Sequence, residues 1–163
     1  MIKTRVRYSY LKQQFSNSND LWAKLKKFVS SGDFTLGKEL EKFEKNFAKL
    51  IGTKYAVGVG CGTDALFLSL KAFGIGPGDE VITTPLSWIA TANAIGATGA
   101  KPVFVDISPD LNIDPDLIEN SITKKTKAIM PVHFTGRLCK MEKILNIAKK
   151  NKLYVIEDSA QAY

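Results

Sequence analysis

The sequence predicts an α/β fold, a mostly parallel sheet with helices on both faces. Three observations carry this. Short apolar runs recur at positions 80–84, 102–106, 128–132 and 153–157. Longer segments with apolar residues at helical spacing lie between them. Glycine, proline and aspartate punctuate the joins, so the chain reads as successive βαβ units. A length of 163 residues is enough for one domain with a substantial core.

Positions 1–18 are polar without clean periodicity and read as an N-terminal arm, leaving 19–163 as the folded region. From Asn19, the residues Leu21, Trp22, Leu25, Phe28 and Val29 mark a helix stopped by Gly32. Leu40, Phe43, Phe47, Leu50 and Ile51 mark a second, ending at Gly52. The run Tyr55-Ala56-Val57-Gly58-Val59 predicts a buried strand, followed by a glycine-rich turn and a helix carrying Ala65, Leu66, Leu68, Leu70 and Phe73 up to Gly74. Gly76-Pro77-Gly78-Asp79 is a turn by composition and leads into the strand at 80–84. Pro85 interrupts, and a helix of small residues covers about 88–97. After the strand at 102–106, Asp114 as cap and Pro115 at the first position open another helix. The strand at 128–132, a helix over 141–150 and the strand at 153–157 complete the pattern.

Composition excludes several classes. Apolar residues make up 45% and charged residues 24%, which rules out collagenous, low-complexity and disordered chains. No apolar run approaches the roughly 18 residues of a membrane span, and no apolar core follows the basic start, so no membrane segment or secretory leader is expected. The expectation is a cytoplasmic protein. The formal charge is +7, but the lysines fall on helix faces (Lys24, Lys26 and Lys27; Lys38, Lys42, Lys45 and Lys49; Lys149, Lys150 and Lys152) and read as solvated surface, so no nucleic-acid partner is expected. Cys61 and Cys139 lack disulfide or zinc spacing and read as reduced thiols, with no metal site.

Chemistry is expected beyond the carboxyl ends of the strands. Gly58-Val59-Gly60-Cys61-Gly62-Thr63-Asp64 joins a predicted strand to a helix, where free N–H groups and the helix dipole favour an anion. It is neither a dinucleotide nor a Walker motif, and Thr63 or Asp64 as a plain helix cap explains it equally well. Trp88, past another strand end, is either a ring for a planar ligand to stack on or core. The acids of Glu157-Asp158-Ser159-Ala160-Gln161 sit at a buried strand terminus, where a charge needs a partner: a cationic ring nitrogen, or a lysine or arginine. His133 reads as structural, and Asp106, Asp114 and Asp116 as turn and cap residues.

Six segments occur together in register: Gly62-Thr63-Asp64-Ala65-Leu66, Gly76-Pro77-Gly78-Asp79-Glu80-Val81, positions 85–92, Pro102-Val103-Phe104-Val105-Asp106, Pro131-Val132-His133, and Glu157-Asp158-Ser159-Ala160-Gln161-Ala162. In this order they resemble the DegT/DnrJ/EryC1/StrS family of sugar aminotransferases. The resemblance implies a pyridoxal 5′-phosphate (PLP) cofactor and the large domain of the aspartate-aminotransferase fold (PLP fold type I). It also implies a homodimer, an amino-acid donor such as glutamate, and a nucleotide-linked keto sugar as acceptor. Position by position, Gly62, Thr63 and Asp64 match the phosphate-holding segment, Trp88 the aromatic that stacks on the pyridine ring, Asp158 the carboxylate paired with the ring nitrogen, and Gln161 the residue beside the phenolic oxygen. The family's Schiff-base lysine lies C-terminal to the Glu-Asp-x-Ala-Gln segment, and no lysine here matches it. The expectation is therefore an incomplete large domain with the C-terminal small domain absent, inactive alone and poorly soluble or loosely dimeric. A sugar dehydratase of the same family, with histidine for that lysine, and an inactive or regulatory fragment are the alternatives.

Overall fold

The computed structural model describes residues 9–162, and the chain divides into two compact units, Met1–Gly58 and Val59–Tyr163. The first holds α1 (Leu11–Gln14), α2 (Asn19–Ser31) and α3 (Lys38–Ile51). Two of these helices stop where the sequence predicts. Gly32 and Gly52 take left-handed backbone, φ 69° and 78°, which costs a glycine little. Ala48 is the only buried residue of this unit among the described residues. The single turn α1 lies inside the expected arm, whose positions 1–8 fall outside the described residues.

One predicted strand does not form. Positions 55–59 are irregular backbone, with Tyr55 and Val57 73% and 79% exposed. Apolar content alone does not make a strand, because its N–H and C=O groups need a ladder. No strand among the described residues pairs with this segment.

The second unit is the α/β body. Strands β1 (Glu80–Thr83), β2 (Lys101–Phe104), β3 (Thr126–Met130) and β4 (Tyr154–Val155) form a four-stranded sheet in the order β2-β1-β3-β4, every pair parallel. The helices are α4 (Gly62–Ala72), α5 (Ala90–Ala97), α6 (Pro115–Ile118) and α7 (Met141–Asn151). Consecutive strand residues feed opposite faces. Val81, Ala128 and Met130 join Leu66 and Leu70 of α4 and Ala94 and Ile95 of α5 in one buried cluster. Ile82 and Ile129 join Ile118 of α6 and Ile144 and Ala148 of α7 in the other. The connection through α5 runs outward to β2, whereas α6 brings the chain back across β1 to β3 on the opposite face. Right-handed crossovers require that change of face. The switch falls between β1 and β3, and in open α/β sheets ligands bind outside the carboxyl ends at such a point. The α6 cap matches its prediction: the Asp116 N–H donates to the Asp114 carboxylate at 3.0 Å, and Pro115 follows the cap.

Gly99, between α5 and β2, is held at φ +87°, and a Cβ there would stand 2.7 Å from Pro77 Cγ. The turn 76–79 thus packs directly against the backbone leaving α5.

Candidate functional site

The pairing of β3 with β4 does not stop at the last strand residues. The Asp158 N–H donates to the Pro131 carbonyl at 2.9 Å, and the His133 N–H donates to the Asp158 carbonyl at 3.1 Å, continuing the ladder through a bridge of Val132 to Asp158. Asp158 is therefore held by backbone at the carboxyl edge of the sheet, and it is only 7% exposed. Its Oδ2 accepts from the Thr91 hydroxyl at 2.7 Å and its Oδ1 from the Ala160 N–H at 3.2 Å. None of the ion pairs among the described residues includes Asp158. It is a buried acid supplied with neutral donors and no cation, an arrangement that calls for a positive partner.

Thr91 reaches Asp158 because β1 ends in a tight turn. The Thr83 hydroxyl donates to the Met130 carbonyl at 2.8 Å, and the Leu86 N–H donates to Thr84 Oγ1 at 3.2 Å, bending the chain through Pro85 into α5. Ser87 and Thr91 lie four residues apart, their hydroxyl oxygens 2.7 Å from each other. Trp88 stands between them and is 75% exposed. The core alternative for this ring is thereby excluded.

The glycine-rich turn lies beside the same acid. A Cβ on Gly62 would meet the Ala160 methyl at 4.0 Å, so the start of α4 and the Asp158–Gln161 segment are neighbours. Cys61, extended, occupies the cap position of α4, and no side chain caps the helix. Neither Thr63 nor Asp64 does the capping that the plainer reading assigned to them. The first-turn N–H groups are left to another acceptor, the condition for anion binding. The Asp64 carboxylate leans back over Gly60, where a Cβ would stand 2.6 Å from Oδ2, so a larger residue at 60 would displace that carboxylate.

Gln161 is exposed and oriented. The Thr135 N–H donates to its Oε1 at 2.7 Å, leaving the amide nitrogen as the end that can donate outward. Thr135 has left-handed backbone, φ 55°, a strained state for a β-branched residue. Its hydroxyl donates to the Phe134 carbonyl at 2.7 Å.

Several other titratable groups have structural partners. His133 is buried; its Nδ1 accepts from the Cys139 N–H at 3.2 Å, which puts the ring proton on Nε2, 2.8 Å from Glu157 Oε2. The Cys139 thiol donates to the Val132 carbonyl, and burial, helped by the Asp110 and Glu157 charges, pushes its pKa up to about 11. Asp106 bonds the Ile107 N–H, and Asp116 pairs with Lys143 at 3.1 Å. The lysines of the predicted helix faces are exposed, as a solvated surface requires. No cluster among the described residues has the make-up of a metal site, and no helix among them is long and apolar enough to cross a membrane. A groove of about 790 Å³ between α2 and α3, lined by Leu25, Phe28, Lys24 and Lys38, contains none of the candidate residues.

Sequence reasoning passed over Ser87, Thr91 and Thr135. Thr91 left only a faint sign, being with Asn93 one of two polar residues on a helix otherwise made of alanine, glycine and isoleucine.

The parallel sheet with helices on both faces is the architecture of the PLP fold type I aminotransferases, with which the chain superposes. The chain belongs to the DegT/DnrJ/EryC1/StrS aminotransferase family, whose pattern matches residues 16–163. It is 53% identical over 135 residues to the spore coat polysaccharide biosynthesis protein SpsC of Bacillus subtilis, covering 82% of this chain and 35% of that protein. It is 50% identical over 142 residues to the dTDP-3-amino-3,6-dideoxy-alpha-D-galactopyranose transaminase of Aneurinibacillus thermoaerophilus, covering 85% and 39%. Among solved structures, NtdA of Bacillus subtilis with bound cofactor PMP superposes with a TM-score of 0.91 at 40% identity, over 97% of this chain and 37% of that one. The chain thus spans little more than a third of the length of these relatives.

Proposed function

We propose that the chain is the cofactor-binding part of a PLP-dependent aminotransferase. The reaction moves an amino group from an amino acid, glutamate by family expectation, to a keto group on a nucleotide-linked sugar, for amino-sugar or polysaccharide synthesis. The observation that carries this reading is Asp158, a buried acid with two neutral donors and no cation, next to the uncapped start of α4. Both features fit PLP, which has a basic ring nitrogen at one side and a phosphate at the other.

When bound, the cofactor supplies an electron-accepting pyridinium ring that takes up the pair released at the substrate's Cα. The chain's residues prepare that ring. Asp158 holds the proton on the ring nitrogen, because an opposite charge favours the protonated form. The N–H groups of Gly62, Thr63 and Asp64, with the Thr63 hydroxyl, take the phosphate at the positive end of the helix. The Asp64 carboxylate, drawn back over Gly60, contributes through its backbone alone. Trp88 covers one face of the ring. Gln161, its Oε1 occupied by Thr135, offers its amide N–H to the phenolic oxygen. The Schiff-base lysine belongs to the part of the family's length that this chain does not span, and a second copy completes the site in the family's homodimeric arrangement. The dTDP-sugar in the transaminase relative's name supports a nucleotide-linked acceptor.

The test uses pyridoxamine 5′-phosphate (PMP), which carries an amine in place of the aldehyde and so forms no adducts with the chain's lysines. The protein has two tryptophans, and Trp22→Phe leaves Trp88 as the sole reporter. Saturable quenching of its emission by PMP is expected; emission unchanged at millimolar PMP refutes the reading.

A further inference from the structure

Thr91 has one hydroxyl proton, and the carboxylate of Asp158 only accepts. At 2.7 Å from Oδ2, Thr91 is therefore the donor, and its oxygen is free to accept. Ser87 Oγ lies 2.7 Å on the other side and must supply that second proton. The order is fixed: Ser87 donates to Thr91, and Thr91 donates to Asp158. Thr91 is 1% exposed, so water does not compete for its hydroxyl. The relay starts one residue before Trp88 and ends on the acid, so a single backbone turn carries both the ring's proposed cover and the orientation of its counter-charge.

We propose that Ser87 and Thr91 are positioning residues that set the plane and charge of Asp158 toward the cofactor's ring nitrogen. This rests on the functional reading above. The Thr91 hydrogen bond is charge-assisted, and the Ala160 N–H anchors the other oxygen. Together they fix both carboxylate oxygens and leave the remaining lone pairs for the ring N–H. Polarisation by Ser87 strengthens the Thr91 donor in turn.

The experiment uses the full chain and PMP labelled with ¹⁵N at the ring nitrogen, read by the nitrogen chemical shift and by the dissociation constant. In the wild type the bound nitrogen resonates as a pyridinium. Thr91→Val keeps the shape and removes the donor; the resonance is expected to move toward free pyridine and binding to weaken about tenfold to a hundredfold. Thr91→Ser is expected to restore both readouts. Ser87→Ala is expected to shift the resonance in the same direction with about threefold weaker binding. Purely structural damage changes the melting temperature without moving the nitrogen resonance of the ligand that still binds. If Thr91→Val does not fold, Ser87→Ala carries the decision. Wild-type shift and affinity in whichever variant carries it overturn the relay. Asp158→Asn separates the two levels. If it alters the resonance while the relay variants do not, only the relay fails; if it too is silent, the functional reading falls as well.

Discussion

Replacing Asp158 with asparagine removes a charge while keeping the shape, and the hydrogen bonds around it set how much each property suffers. The asparagine Oδ1 can still accept from the Ala160 N–H, and its amide can donate to Thr91 Oγ1 in place of the lost acceptor. Thr91 then turns its own proton toward Ser87, whose oxygen lies 2.7 Å away, so the relay reverses without stranding a donor. The expected change in folding stability is accordingly below about 1 kcal/mol. Cofactor binding has no such remedy. An opposite charge at about 4 Å in an effective dielectric near 20 is worth about 4 kcal/mol, or about a thousandfold in affinity. The desolvation of Asp158 is already met by the fold, since the residue is 7% exposed without ligand, and little of that gain is cancelled on binding. Asp158→Asn should therefore bind PMP about a hundred- to a thousandfold more weakly. Urea unfolding and PMP titration by Trp88 fluorescence measure the two quantities on one sample. Affinity within threefold of wild type refutes the pairing, and a collapse in stability refutes the reversible relay.

Two further outcomes concern the scaffold. Gly99→Ala puts a methyl 2.7 Å from Pro77 Cγ at φ +87°, adding left-handed strain to a clash with a rigid ring, so a loss of about 2–4 kcal/mol in urea unfolding is expected; wild-type stability shows that the turn gives way. The Cys139 thiol is raised from an ordinary 9.0 to about 11, so the unfolded chain loses its proton first as pH rises. Stability should decline between pH 9 and 11 more steeply in the wild type than in Cys139→Ala, and parallel urea-midpoint curves count against the burial of that thiol.

The helices of the second unit and the four strands of the sheet were legible because burial forces periodicity, whereas α2 and α3 were legible from an apolar spacing whose residues are largely exposed here. Val81 and Ile82, or Ala128, Ile129 and Met130, must fill two opposite clusters, and no polar residue suits either. The glycine stops at Gly32 and Gly52 were legible for backbone reasons alone. Positions 55–59 misled because apolarity records a preference for burial, whereas a strand is decided by a neighbour that local sequence does not contain. Among the site residues, Asp158 announced itself as an acid after an apolar run, and the structure adds its burial. The donors around it were invisible. Ser87 and Thr91 are ordinary residues at a helix start, and their meaning comes from being placed next to a residue 67 positions later. The Thr135 contact with Gln161 was hidden for the same reason, aggravated by a backbone state that a threonine does not advertise.

The bridge from Val132 to Asp158 means that the acid is not mounted on a loop but is the next rung of the sheet. Its position is settled when the third and fourth strands zip together, so assembling the site and completing the central ladder are one event. A population of molecules that is folded but has the backbone of this acid out of place should not exist, so what can vary in a folded molecule is the tilt of the carboxylate and not the place from which it projects.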